Sequence, residues 1–130
     1  MNLGPGKEFD RIRAIFGRLA ELLPSNAPLG DDCALIPVGG TTLAVSIDAS
    51  LQDVHFRTDW LDFKEIGFRA AGAALSDLAA EGALPLGVMV SLGVPAQNGT
   101  PVDPAVQIME GVAAMCSNLG AQIFGGDMTR

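Results

Sequence analysis

The sequence predicts an α/β domain, on three observations. An N-terminal segment carries apolar residues at helical spacing, two β-rich runs are joined by paired glycines, and the rest alternates helix, strand, helix and strand. From Lys7 to Leu23 the apolar positions Phe9, Ile12, Phe16, Leu19 and Leu23 fall on one helical face, and Pro24 is expected to end that helix. Cys33 to Val38 and Thr42 to Asp48 read as two antiparallel strands, because Gly39-Gly40 tolerates the positive φ angles of a tight hairpin.

Asp62 followed by Glu65 is an aspartate-started relative of the capping box and opens a helix through Ala80, with Gly82 as its stop. Gly67, Gly72 and the alanines at 70, 71, 73, 74, 79 and 80 leave this helix little side-chain bulk, so it can pack very close to a sheet or another backbone. Leu86 to Val94 reads as a strand. Asp103-Pro104 supplies an N-cap and an N1 proline to a helix ending at Leu119, with Gly120 as its C-terminal cap. A last strand, Ala121 to Phe124, delivers the chain into Gly125-Gly126-Asp127, and Pro95 to Pro104 is the one connection long enough to move freely.

With 130 residues, 48% of them hydrophobic, the chain suits a single domain, 1–130, with a real core. A net charge of −7, with eight Lys and Arg against fifteen Asp and Glu, argues against nucleic acid or an anionic membrane as partner. A phosphorylated ligand would meet the same repulsion, so its charge must be offset by a metal ion or by aimed backbone N–H groups. Cys33 and Cys116 lack C-x-x-C spacing, which points to reduced thiols rather than a zinc site or a disulfide framework. The N-terminus has no apolar signal core and no apolar run approaches a membrane span, so a soluble, cytoplasmic protein is expected.

The residues able to carry chemistry are mostly acids. Asp32 follows Gly30 and Asp31 at the entrance of the first strand, Asp48 stands at the exit of the second, and Asp127 lies just beyond the last. Strand ends are where α/β proteins place ligands. Asp77 interrupts the apolar segment Ala73-Ala74-Leu75-Ser76-Asp77-Leu78-Ala79-Ala80, where a carboxylate is expected to be paired, hydrogen-bonded or metal-bound. Magnesium takes carboxylate oxygen and water and bridges protein acids to polyphosphates, so these aspartates are expected to converge on it, with Ser46 adding a hydroxyl from the strand face of Asp48.

Turn or cap roles account equally well for Asp31, Asp32, Asp48 and Asp127 taken singly. Asp77, which turn chemistry does not explain, tips the set toward metal. His55, the single histidine, reads by itself as an ordinary surface residue, opposite Val54 and Phe56 on an extended segment. Trp60 and Phe63 read as core or interface anchors. Gly125-Gly126 allows close backbone approach to a phosphate or ribose, but neither a P-loop nor a dinucleotide fingerprint occurs.

Taken in order, Gly30-Asp31-Asp32-Cys33-Ala34, Ser46-Ile47-Asp48, Val54-His55-Phe56, Leu75-Ser76-Asp77-Leu78-Ala79-Ala80 and Gly125-Gly126-Asp127-Met128-Thr129-Arg130 resemble a known family. The chain is similar, from Phe9 onward, to the N-terminal domain of the thiamine-monophosphate kinase family, within the aminoimidazole-ribonucleotide-synthetase-like superfamily. The resemblance implies an α+β domain with a mixed or antiparallel sheet, helices packed on it, and strands contributing to a barrel at a homodimer interface. It implies ATP-dependent phosphorylation of thiamine monophosphate to thiamine diphosphate by magnesium-assisted direct transfer, with no catalytic side-chain nucleophile.

Carried over by position, Asp32, Ser46, Asp48, Asp77 and Asp127 become metal ligands, Gly126 and Asp127 contact ATP, and His55 touches the thiamine phosphate, which reverses the reading of His55 from its own surroundings. Ile47, Ala74 and Met128 stand where the family has threonine, asparagine and threonine, so one metal position is expected to be weaker. The resemblance also implies a second, C-terminal domain outside 1–130, and the isolated chain is expected to be inactive without it.

Overall fold

The computed structural model describes residues 6–23, 29–95 and 101–129. Along the chain run α1 (Lys7–Leu22), β1 (Ala34–Val38), β2 (Thr41–Val45), α2 (Phe63–Ala80), β3 (Gly87–Gly93), α3 (Pro104–Leu119) and β4 (Gln122–Thr129). The element order matches the sequence expectation. Pro24 and residues 96–100 of the expected mobile connection lie outside the described residues.

Among the described residues the strands form two separate two-stranded sheets, β1 antiparallel to β2 and β3 parallel to β4, rather than one continuous sheet. The hairpin turns at Gly39, whose φ of 57° is the left-handed conformation its turn needs. β3, α3 and β4 make a βαβ unit, since parallel neighbours require a crossover and a helix supplies it.

Helix ends follow the sequence chemistry. Asp62 accepts the Glu65 N–H while the Glu65 side chain accepts the Asp62 N–H, so two otherwise orphaned donors are satisfied reciprocally. Asp103 accepts the Ala105 N–H ahead of Pro104, and Gly120, at φ 67°, closes α3 in the left-handed conformation. α1 has no side-chain cap at Gly6.

Close packing of α2 falls on α3. A Cβ on Gly67 would lie 1.9 Å from the Ile108 carbonyl oxygen, and one on Gly111 would lie 1.9 Å from that of Lys64, so the two helices meet backbone to backbone. The resulting core joins Ala71, Val112 and Cys116 to Val88 and Val90 of β3. α1 buries none of its residues, although Ile12, Phe16 and Leu19 of the expected stripe are half-buried.

Four sequence expectations are corrected. β4 continues through Gly125, Gly126 and Asp127 to Thr129, instead of ending at Phe124, because a bulge at Phe124 lets the strand resume pairing: Ile123 opposes Val88 and Gly125 opposes Met89. β2 ends at Val45, so Ser46 and Asp48 lie past the ladder and not on one strand face. Val54-His55-Phe56 lies in a turn-rich segment, with Gln52 bridged to Phe56, so strand alternation does not govern it. Of the core and interface roles expected for Trp60, its 71% exposure excludes the core one, while Phe63 is half-buried.

Candidate functional site

Of the acidic candidates, Asp31, Asp32 and Asp77 act electrostatically on one point, Cys33. This residue opens the hairpin and is 6% exposed. Burial pushes its thiol above the ordinary thiol range, and the negative charges of Glu81, Asp77, Asp32 and Asp31 push it further the same way. The loop entering β1 therefore brings Asp31 and Asp32 within electrostatic reach of the same point as the C-terminal half of α2. Asp32 is held by the local turn, its N–H donating to Asp31 Oδ1 at 3.0 Å.

Ser46 joins the second hairpin strand to α2, its hydroxyl donating to the Ala74 carbonyl at 3.2 Å. Ala74 is one helical turn before Asp77 and on the same face, so this bond sets Ser46 beside the turn that carries the acid. Asp48, two residues on, is exposed and accepts the Ala49 N–H at 2.8 Å through Oδ1. Ile47 between them is 97% exposed.

Asp77 is half-buried rather than buried, and its carboxylate has no hydrogen bond or ion pair among the described residues. Residual solvent access lets the charge stand without the partner that full burial would demand.

Among the described residues no three histidine, cysteine or acidic side chains gather closely enough to hold a metal by themselves. The expected convergence is therefore not a ready-made protein cage. The donor set nevertheless fits magnesium, being carboxylate and hydroxyl oxygen throughout, with no imidazole or thiolate cluster to favour a softer ion. Magnesium is ordinarily held by one or two carboxylates with waters and phosphate oxygens completing the shell, which separate aspartates can supply.

His55 is exposed on the loop between β2 and α2, yet its ring is fixed. Nδ1 accepts the Leu51 N–H at 3.0 Å, while the His55 N–H returns a bond to the Leu51 carbonyl at 2.8 Å. A neutral ring that accepts at Nδ1 carries its proton on Nε2, so it offers one outward donor. Nearby, Arg57 makes a double hydrogen bond to Asp59 and lies 5.0 Å over the Trp60 ring. That contact holds the Asp59 carboxyl below its ordinary range.

On β4, Asp127 pairs with Ser91 of β3 and is exposed. A Cβ on Gly126 would sit 1.8 Å from the Val90 carbonyl oxygen, so the partner strand itself requires glycine there. Gly125, at φ 132°, supplies a conformation suited to glycine beside the bulge.

Two residues escaped the sequence reading. Glu81, four residues after Asp77, shares its helical face and acts on Cys33; the i, i+4 spacing carried that signal. Arg69 donates through its guanidinium to the His55 carbonyl, a contact across fourteen residues that no periodicity announces. A shallow apolar groove lined by Lys64, Glu65, Phe68 and Ala114 contains none of the candidate residues.

The family model for AIR synthase related protein, N-terminal domain, matches residues 30–130. The chain belongs to this family. Among curated relatives, thiamine-monophosphate kinase of Mycobacterium tuberculosis (strain ATCC 25618 / H37Rv) is 36% identical over 99 residues, covering 76% of this chain and 29% of the relative. The protein of the same name from Bacillus subtilis (strain 168) is 31% identical over 122 residues, 92% of this chain and 37% of the relative. The chain thus spans about a third of the length of these relatives. A solved structure, AaThiL complexed with AMPPCP and TMP, superposes with a TM-score of 0.77 at 24% identity, over 99% of this chain and 40% of that one. The fold is therefore that of the family, an α+β domain whose hairpin and βαβ unit flank α2.

Proposed function

We propose that this chain is the N-terminal, metal- and nucleotide-binding part of an enzyme that phosphorylates thiamine monophosphate with ATP, giving thiamine diphosphate. The observation that carries the reading is an oxygen-only set on separate elements: Asp31, Asp32 and Asp77 all act electrostatically on Cys33, and Ser46 is bonded to the helical turn before Asp77. Relatives named thiamine-monophosphate kinase support the substrate, as does a neighbour whose structure holds AMPPCP and TMP.

Asp32, Ser46, Asp48, Asp77 and Asp127 would hold magnesium. When bound, the ion would neutralise phosphate charge that a chain with eight Lys and Arg cannot offset alone. His55 would donate from Nε2 to the phosphate of thiamine monophosphate, its ring held by Leu51. Gly126 and Asp127 would contact ATP from the exposed strand β4. No side chain is assigned as nucleophile, because direct phosphoryl transfer needs positioning and charge stabilisation above all.

Exposed apolar side chains on the hairpin, Leu35, Ile36, Val38 and Val45, support a homodimer in which these strands pair with those of a second copy. No helix among the described residues is long and apolar enough to cross a membrane. The family's breadth favours one second reading, another ATP-dependent enzyme of the AIR synthase group.

Incubating the whole gene product with thiamine monophosphate, ATP and magnesium tests the proposal. Thiamine diphosphate and ADP in equal amounts are expected. ADP formed only with some other acceptor would favour the second reading.

A further inference from the structure

We infer that Arg69 is a positioning residue for the reaction, fixing the segment that carries His55 so that the imidazole presents Nε2 outward to a phosphate monoester. The inference rests on the proposed contact between His55 and the substrate phosphate, and adds to it a residue assigned by geometry alone.

Residues 51 to 61 are wound largely on themselves. Asp53 N–H donates to the Phe56 carbonyl at 2.7 Å, the N–H groups of Val54 and His55 both donate to the Leu51 carbonyl, and those of Trp60 and Leu61 donate to Arg57. Asp53 turns the chain at φ 63°, an uncommon conformation for a residue other than glycine. These bonds shape the segment, and among the described residues two sets of hydrogen bonds tie it to α2. One is the Asp62 capping box at the start of α2, and the other is the Arg69 guanidinium, which reaches back from the second turn of α2 to the His55 carbonyl.

The bond falls on the one peptide whose position decides where the imidazole sits. His55 accepts Arg69 at its carbonyl, donates its N–H to Leu51, and accepts the Leu51 N–H at Nδ1, so backbone and ring are fixed from three directions. Among the described residues Arg69 makes no ion pair with a carboxylate, and its guanidinium is given to this carbonyl. A charged donor to a carbonyl is stronger than a neutral one, and guanidinium geometry makes lysine an imperfect substitute.

The test compares wild type, His55→Ala, Arg69→Gln, Arg69→Lys and the His55→Ala/Arg69→Gln double variant in the whole gene product, with the His55 ring nitrogens read by NMR. Arg69→Gln is expected to raise the KM for thiamine monophosphate about tenfold, with the KM for ATP unchanged. Arg69→Lys is expected to recover part of the loss. The double variant is expected to be no worse than His55→Ala, because a residue acting through His55 has nothing left to position. The nitrogen signals should change from a single fixed tautomer in wild type to an averaged pair in Arg69→Gln.

Multiplicative losses in the double variant, or an unchanged KM in Arg69→Gln where His55→Ala raises it, would overturn the inference. If His55→Ala leaves that KM unchanged, the substrate contact of His55 fails instead. Arg69 is then judged on the nitrogen signals alone: averaging in Arg69→Gln upholds its hold on the ring, and unchanged signals overturn it.

Discussion

The two halves of the molecule are held together in opposite ways. α2, α3 and the β3–β4 pair share a core, and the helices touch backbone to backbone at Gly67 and Gly111. The β1–β2 hairpin and α1 have only half-buried or exposed side chains along their lengths, and the hairpin is tied to α2 by a bond such as that from Ser46 to Ala74. The ligand candidates Asp32, Ser46, Asp48 and His55 belong to the second half or to its loops, whereas Asp77 stands on the rigid helix facing it. The firmly packed half thus carries Asp77 on α2 and Asp127 on β4, and the lightly supported segments carry Asp32, Ser46, Asp48 and His55.

The sharpest way to break this contrast is to crowd the helix crossing. Gly67→Val or Gly111→Val places carbon where a carbonyl oxygen already sits and is expected to cost about 3 kcal/mol or more in denaturant unfolding. Leu75→Ala, truncating a side chain that is 6% exposed on α2, is expected to cost about 3 kcal/mol. Removing one half of the capping box with Asp62→Ala should cost about 1 kcal/mol. In the lightly packed half, Ile15→Ala on α1 should cost less than about 0.5 kcal/mol, its side chain being 55% exposed. Leu35→Asp, by contrast, should shift sedimentation toward monomer if the hairpin pairs with a second copy.

A pH series sharpens the same comparison across its boundary. The folded Cys33 and Cys116 thiols keep their protons above the ordinary range, Cys33 through burial and its acidic neighbours, Cys116 through burial. The unfolded chain ionises first. The stabilisation from the neutral thiols is therefore fully present below about pH 8.5 and is lost as pH rises beyond it. The denaturation midpoint should fall between pH 8 and pH 10, and Cys33→Val should flatten that fall.

Elements governed by local chemistry were legible in the sequence. The Asp62–Glu65 box, the Asp103-Pro104 start, the Gly120 cap and the glycine hairpin all specify backbone conformation within a few residues, and each occurs as expected. What long-range pairing decides was less legible. The Phe124 bulge depends on the registration of β4 against β3, so nothing in Gly125-Gly126-Asp127 itself said that the strand continues. Asp77 is anomalous among its apolar sequence neighbours, but its half-exposure depends on how other elements cover that face of α2, which those neighbours do not specify. His55 and Arg69 could not be connected from sequence, since their contact depends on how the intervening loop winds.

If oxygen ligands on separate elements act together on one metal-bound nucleotide, removing any one of them weakens its binding. Calorimetric titration of the whole gene product with a non-hydrolysable ATP analogue, with and without magnesium, tests this most directly when repeated on Asp48→Asn and Asp77→Asn. Magnesium-dependent binding is expected in wild type and is expected to be lost in both variants, with unfolding midpoints close to wild type. Binding equally tight in both variants would contradict that joint action.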